Sequence, residues 1–157
     1  MRALAPVLAL LLLASPALAQ FWGHYANARF GYEIDVPPDF AGNGESDNGD
    51  GQVFYNLGAE QGLTVWGGML MDGFAGEAGR SAQALTAEGW SVTEQSTTPQ
   101  WATLAAMRDH RLIYQRMIAL CDGVSFAAFR LEFNIRDLSK TDEVLGGLAR
   151  SFVPTGC

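Results

Sequence analysis

Within the segment from Val124 to Ile135, every second residue from Ala127 onward is apolar, and from Phe129 the residues between them are polar. This pattern is typical of a β-strand with one buried face. The polar side of this strand carries Arg130, Glu132 and Asn134, so we expect water to reach part of that side. It is the clearest strand in the sequence, and it makes a β-sheet part of any fold that the chain adopts. The apolar positions on its other side are Ala127, Phe129, Leu131, Phe133 and Ile135.

Further strands are predicted on both sides of this one. Alternation of apolar residues from Phe30 to Val36 indicates a half-buried strand that ends at two prolines. Short apolar runs separated by glycine-containing turns predict the others, and hairpin spacing makes the sheet mainly antiparallel. The remaining predicted strands span 52–57, 63–71, 90–95 and 110–120.

Two helices and one long loop complete the predicted order. Small apolar residues at helical spacing predict a helix over 77–87, and Ser139 with Asp142 three residues later predicts a capped helix that ends before Pro154. The Gly-, Asn- and Asp-rich stretch from Gly42 to Gly51 is expected to be an exposed loop. The result is a single α+β domain with five to six mainly antiparallel strands and two helices, in the order βββα-ββ(β)-α.

Composition excludes several classes of protein. With 48% hydrophobic and 17% charged residues, the chain is too apolar to be disordered. A net charge of -7 argues against a nucleic-acid binder, which needs a basic face. Lys140 is the only lysine in the sequence, so a phosphate-binding loop or a Schiff base has at most one anchor.

The first 19 residues have the three regions of a secretory signal peptide. Arg2 supplies the positive charge, Val7 to Ala14 form the apolar run, and a small-x-small site places cleavage between Ala19 and Gln20. The apolar run is too short to span a membrane, which takes about 20 residues. We therefore expect residues 20–157 to form the mature domain in the periplasm or medium, without membrane insertion.

Two cysteines, Cys121 and Cys157, remain after the predicted cleavage. In an oxidising compartment an even pair indicates one disulfide. A redox-active pair is the alternative, but the spacing is not Cys-x-x-Cys and no histidine is nearby in the sequence. We expect a structural bridge that fastens the C-terminal tail to the end of a strand.

Both ends of the predicted domain resemble one known superfamily. The opening Phe-Gly-Tyr-Glu-Ile-Asp-Val-Pro-Pro-Asp-Phe at 30–40 is similar to the first strand and proline turn of Mog1/PsbP-like domains. Val-Leu-Gly-Gly-Leu-Ala-Arg-Ser-Phe at 144–152 resembles their last helix. The resemblance, closest to small exported proteobacterial proteins, implies an accessory or binding role, because members include a GTPase-binding factor and a photosystem subunit. It carries no partner-binding residue over to this chain.

Acidic residues are concentrated in the first half of the predicted domain. Nine of them, and no lysine or arginine, occur between Phe30 and Gly79. Such asymmetry can steer a cationic partner towards one face, although carboxylates also serve solubility alone. Asp47 and Asp50 are weak candidates for calcium, since their loop lacks the EF-hand glutamate and its Asn-Gly and Asp-Gly pairs are better explained as an ordinary exposed turn. The possible partner face consists of Glu33, Asp35, Glu45, Asp47 and Asp50.

The sequence contains no recognisable catalytic frame. His24 and His110 stand outside known nucleophile and metal motifs, and no cofactor motif is present. Glu33 and Asp35 share one strand face, which could suit acid–base chemistry but is better explained as the solvent face of an amphipathic strand. We therefore expect a non-catalytic binding or accessory protein of the cell envelope with an envelope protein as partner. The alternatives are a small carboxylate- or metal-dependent periplasmic enzyme and a structural envelope protein.

Overall fold

Residues 21–157 are described by a computed structural model, and the predicted signal peptide at 1–19 lies outside them. The described part of the chain folds into ten strands and two α-helices, with a short 3-10 turn before the second helix. The strands are β1 (Gly23–Asn27), β2 (Tyr32–Val36), β3 (Ala41–Glu45), β4 (Gly51–Asn56), β5 (Gln61–Met69), β6 (Ser91–Thr97), β7 (Trp101–Arg108), β8 (Arg111–Ala119), β9 (Ser125–Asn134) and β10 (Val153–Pro154). The helices are α1 (Gly73–Ala87) and α2 (Leu138–Ser151).

Seven strands form the large sheet, in the order β3-β4-β5-β9-β8-β7-β6, and every neighbouring pair is antiparallel. Alternate residues of its central strands face α1. Ala102, Met117 and Ala128 lie opposite one another across β7, β8 and β9, and they pack against Phe74 and Ala78 of the helix. The small side chains of Ala102 and Ala128, together with Ala78 of the helix, let α1 lie close to the sheet.

The other face of the large sheet is covered by a second layer, the three-stranded sheet β1-β2-β10 together with α2. Phe129 of β9 is fully buried there and meets the ring of Phe152 edge-on at 5.2 Å. Tyr32 and Ile34 of β2 and Leu148 of α2 are also fully buried. The large sheet is therefore a central layer, with an apolar core on each side.

The α+β class, the antiparallel sheet and the two helices are confirmed, and the number of strands is larger than predicted. The predicted loop over 42–51 is wrong in its first part, because β3 occupies it as an exposed edge strand paired with β4. Its Gly and Asn residues are depleted from strands in general, so local preference hid the pairing. β1, β7 and the two-residue β10 were likewise not predicted from the sequence.

The start of α2 also differs from the prediction. The helix begins at Leu138 rather than at a Ser139 cap, and Asp137 in the capping position makes no side-chain cap bond. A 3-10 turn over Ile135–Asp137 precedes it, and the Asn134 side chain accepts a hydrogen bond from the backbone N–H of Arg136. The chain therefore enters α2 already turning, which removes the need for a serine cap.

Candidate functional site

The loop 46–50 joins β3 to β4 and is ordered by its own side chains. The hydroxyl of Ser46 donates to Oδ1 of Asp50 at 2.6 Å and accepts from the backbone N–H of Gly51 at 3.2 Å. The amide of Asn48 donates to Oδ2 of Asp50 at 2.9 Å. Both carboxylate oxygens of Asp50 are thus engaged within the loop, so this residue shapes the loop rather than offering a free charge.

The loop is fastened to the small sheet through one buried asparagine. Asn27 of β1 is 1% exposed, and its Nδ2 donates to Oε1 of Glu45 at 2.8 Å and to the backbone carbonyl of Gly49 at 2.9 Å. Its Oδ1 accepts from the backbone N–H of Phe30 at 2.9 Å. Asn27 therefore joins the start of the loop, its far side and the β1–β2 turn in one arrangement.

Two tyrosines complete this anchoring. The hydroxyl of Tyr25 donates to Oε1 of Glu45 at 2.9 Å, and the hydroxyl of Tyr32 donates to the backbone carbonyl of Asp50 at 2.9 Å. Burial raises the pKa of both tyrosine hydroxyls, so they remain protonated donors at neutral pH. Arg29 adds a hydrogen bond from its guanidinium to the backbone carbonyl of Asn48.

Glu33 and Asp35 lie apart from the loop. They alternate along β2 with the buried Tyr32 and Ile34, so they point away from the core, whereas Glu45 meets the inward-facing side of β1. The ring of His24 lies between them, with Nδ1 3.0 Å from Asp35 Oδ1 and Nε2 3.6 Å from Glu33 Oε2. The five residues proposed as a partner face therefore form two separate groups.

Asp47 is the carboxylate of the loop that is free to meet a partner. It is exposed and makes no hydrogen bond or ion pair with any residue in the 21–157 range. Beside it an open groove of about 390 Å³ runs between the loop and β5, with the partly exposed Trp66 in its lining. Within residues 21–157, no three His, Cys, Asp or Glu side chains are placed to hold a metal ion together.

The turn between β8 and β9 lies at the same end of the large sheet. Oδ1 of Asp122 accepts hydrogen bonds from the backbone N–H groups of Val124 at 2.9 Å and Ser125 at 2.8 Å. Hydrogen bonding by Ser125, followed by that from the backbone N–H of Val124, holds the pKa of the Asp122 carboxyl below its ordinary value.

This lowered pKa predicts an acid-dependent contribution to stability. A carboxyl group whose pKa is lower in the folded than in the unfolded state stabilises the fold above its unfolded-state pKa of about 3.9. This contribution to stability is lost as the pH falls through the folded-state pKa. The variant Asp122→Asn keeps the acceptor oxygen but not the charge. We expect it to be less stable than wild type at pH 7 and to converge with it in acid, as measured by urea unfolding at both pH values. An equal difference at pH 7 and pH 3 would contradict this.

The two cysteines are brought together as predicted. Their Cα atoms are 5.3 Å apart and the sulfur atoms lie at disulfide distance, although 36 positions separate them in the sequence. The bridge holds the tail beside β10, which pairs with β2 through Val153 and Pro154 only. The backbone N–H of Thr155 adds a hydrogen bond to the carbonyl of Gly31.

A buried polar group beneath α1 was not predicted from the sequence. Gln115 of β8 is 1% exposed, and its Oε1 accepts from both Nε and Nη2 of Arg130 at 3.0 and 2.9 Å. Its amide donates to the hydroxyl of Ser81 in α1. The guanidinium of Arg130 also lies over the ring of Trp66, with its carbon 5.5 Å from the ring centre. These bonds fasten α1 to the sheet, and alternation along single strands does not reveal them.

No protein-family model matches the chain, and no curated protein sequence matches it. Several solved structures do match the chain. Cyanobacterial PsbP (CyanoP) from Synechocystis sp. PCC 6803 is 16% identical, with 89% of this chain and 96% of that chain covered and a TM-score of 0.66. The Ran-binding protein Mog1p of Saccharomyces cerevisiae is 11% identical, with 87% and 96% covered and a TM-score of 0.61. A point mutant of the protein Mog1 is 12% identical, with 86% and 96% covered and the same TM-score of 0.61.

The α+β architecture thus places this chain in a known class of folds. It has the Mog1/PsbP-like fold, as its strand and helix motifs indicated. Over residues 21–157 the structure contains no helix that is both long enough and apolar enough to cross a bilayer.

Proposed function

We propose that this chain is an exported, non-catalytic accessory protein that binds a protein of the cell envelope. Residues 1–19 act as the signal peptide and 20–157 as one mature domain in the periplasm or the medium. The signal-like sequence pattern and the cysteine pair at disulfide distance support export, because disulfides persist in oxidising compartments. A protein partner is in keeping with the naming of Mog1p as a Ran-binding protein.

The observation that carries the proposed site is the way in which the loop 46–50 is held. Buried Asn27 and the hydroxyl of Tyr32 fix its backbone, so Asp47 projects from a preorganised surface rather than from a flexible chain. Preorganisation lowers the cost of ordering a loop on binding. Negative charge on such a surface speeds association with a cationic partner and disfavours partners of like charge. We therefore expect substitution of Asp47 to be the change that most readily alters partner binding.

The proposal predicts that Asp47→Lys lowers binding of the partner by about tenfold, which is about 1.4 kcal/mol. Crosslinking in intact cells followed by purification of the mature protein measures how much partner is retained. Asp142→Lys is the matched control, because Asp142 is exposed on α2 near the opposite end of the large sheet. Loss in both variants, or in neither, would count against a site at the loop.

A further inference from the structure

The side of the large sheet that faces α2 is only partly covered. The rings of Tyr114 on β8 and Phe129 on β9 lie 6.0 Å apart at the edge of the core on that side. Towards β6 the same side borders an open groove of about 480 Å³. We call this part of the sheet the open face, and its side chains are Glu94, Ser96, Thr103, Ala105, Tyr114 and Arg116.

Cross-strand pairing places Arg116 on the open face. It pairs with Phe129 of β9, which is buried in the core on the α2 side, and with Thr103 of β7, which lines the groove. Residues directly opposite one another in an antiparallel sheet project to the same face. The guanidinium therefore lies beside the groove, with its carbon over the ring of Trp101 at 5.1 Å from the ring centre.

The charge of Arg116 is not neutralised by the chain. Its Nε is enclosed and has no hydrogen-bond partner, and none of the ion pairs within residues 21–157 includes it. Stacking on Trp101 holds the guanidinium in place instead. The terminal nitrogens Nη1 and Nη2 are not enclosed in this way, so they remain accessible to a ligand. The planar guanidinium matches the geometry of a carboxylate.

A second unpaired charge, of opposite sign, lies on the same face. Glu94 of β6 is exposed and takes part in none of the ion pairs within 21–157. It pairs with Ala105, which pairs with Tyr114, so it projects to the same side as Arg116. The strands β6 and β8 flank β7 and are therefore about 10 Å apart. An extended tripeptide spans the same distance, at about 3.4 Å per residue.

We propose that the open face binds a free peptide of about three residues, with its C-terminal carboxylate on Arg116 and its ammonium group towards Glu94. The hydroxyls of Ser96 and Thr103 lie between these charges and can bond to peptide groups. A dicarboxylate would place its second charge beside Glu94, and a diamine would leave Arg116 unpaired. This site goes beyond the proposed function and is independent of the loop 46–50, which lies towards the opposite edge of the large sheet.

The test titrates the isotope-labelled mature protein with trialanine and follows its backbone amides by NMR. Trialanine with an amidated C-terminus and N-acetyl-trialanine are the matched ligands, because each lacks one of the two charges. We expect trialanine to bind saturably at millimolar or lower concentration, with the largest shifts at the amides of Thr103 and Tyr114. Each modified peptide should bind at least about tenfold more weakly. These comparisons use the wild-type protein, so they do not depend on the folding of a variant.

The variant Arg116→Gln is expected to weaken trialanine binding by at least about tenfold and to leave binding of the amidated peptide unchanged. Arg150→Gln removes the same charge from an exposed position on α2 and is the matched control. Unchanged melting temperatures establish that both variants fold. No saturable binding of trialanine, equal binding of the three peptides, shifts confined to residues outside 91–119, or an equal loss in Arg150→Gln would overturn the inference.

Discussion

Replacing Cys121 and Cys157 together by serine is expected to lower the free energy of unfolding by about 3 to 4 kcal/mol. The bridge closes a loop across 36 positions, and in the chain-entropy account this restricts the unfolded chain much more than the folded one. In the folded state the tail has few other attachments, since β10 contributes two residues to the small sheet. Urea unfolding of wild type and the double variant measures the difference.

Reduction provides an independent control for this prediction. Wild type treated with dithiothreitol should unfold at the same urea concentration as the double serine variant, because both lack only the crosslink. Faster amide exchange at Thr155, whose N–H donates to the Gly31 carbonyl, should accompany the loss. A double variant as stable as oxidised wild type would show that the pair does not fasten the tail.

Replacing Asn27 by alanine is expected to destabilise the protein by about 2 to 3 kcal/mol. The change removes both hydrogen bonds from Asn27 to the loop and leaves the half-buried carbonyl of Gly49 and N–H of Phe30 without their partner. Leaving such groups unsatisfied costs more than the net value of the bonds themselves. Chemical denaturation measures the loss, and Asn43→Ala on the exposed edge strand β3 is the matched control.

The same variant separates the shape of the loop from its charge. All carboxylates remain in Asn27→Ala, yet the loop loses its anchor to β1, so we expect faster amide exchange at Gly49 and weaker partner binding. Tyr25→Phe, which removes one donor to Glu45, should have a smaller effect, because Asn27 still donates to the same oxygen. A stable Asn27→Ala protein with an unchanged exchange rate at Gly49 would contradict this account of the anchor.

The strands with strict alternation could be predicted from the sequence because burial on one face dictates their pattern. Tyr32, Ile34 and Val36 of β2 are buried in turn, as are Phe129, Leu131 and Phe133 of β9. The edge strand β3 is exposed along its whole length, so no burial pattern marks it. Its pairing with β4 is decided by tertiary contacts rather than by its own residues.

The candidate site was predictable only in part. The cluster of carboxylates and glycines at 45–51 identified an acidic loop, but not that Asp50 is used internally or that Asp47 is left free. The division of the proposed face follows from Asn27, which contacts residues 18 and 22 positions away. Contacts over such sequence separations leave no local pattern.

The most direct test of a partner-binding role is site-specific photocrosslinking in living cells. A photoreactive amino acid replaces Asn43, which is exposed and lines the groove beside the loop, and the matched position is Asp142 on α2. We expect one envelope protein to be crosslinked from position 43 and not from 142, with the yield reduced by Asp47→Lys. Identical products from both positions, or none from either, would contradict the account.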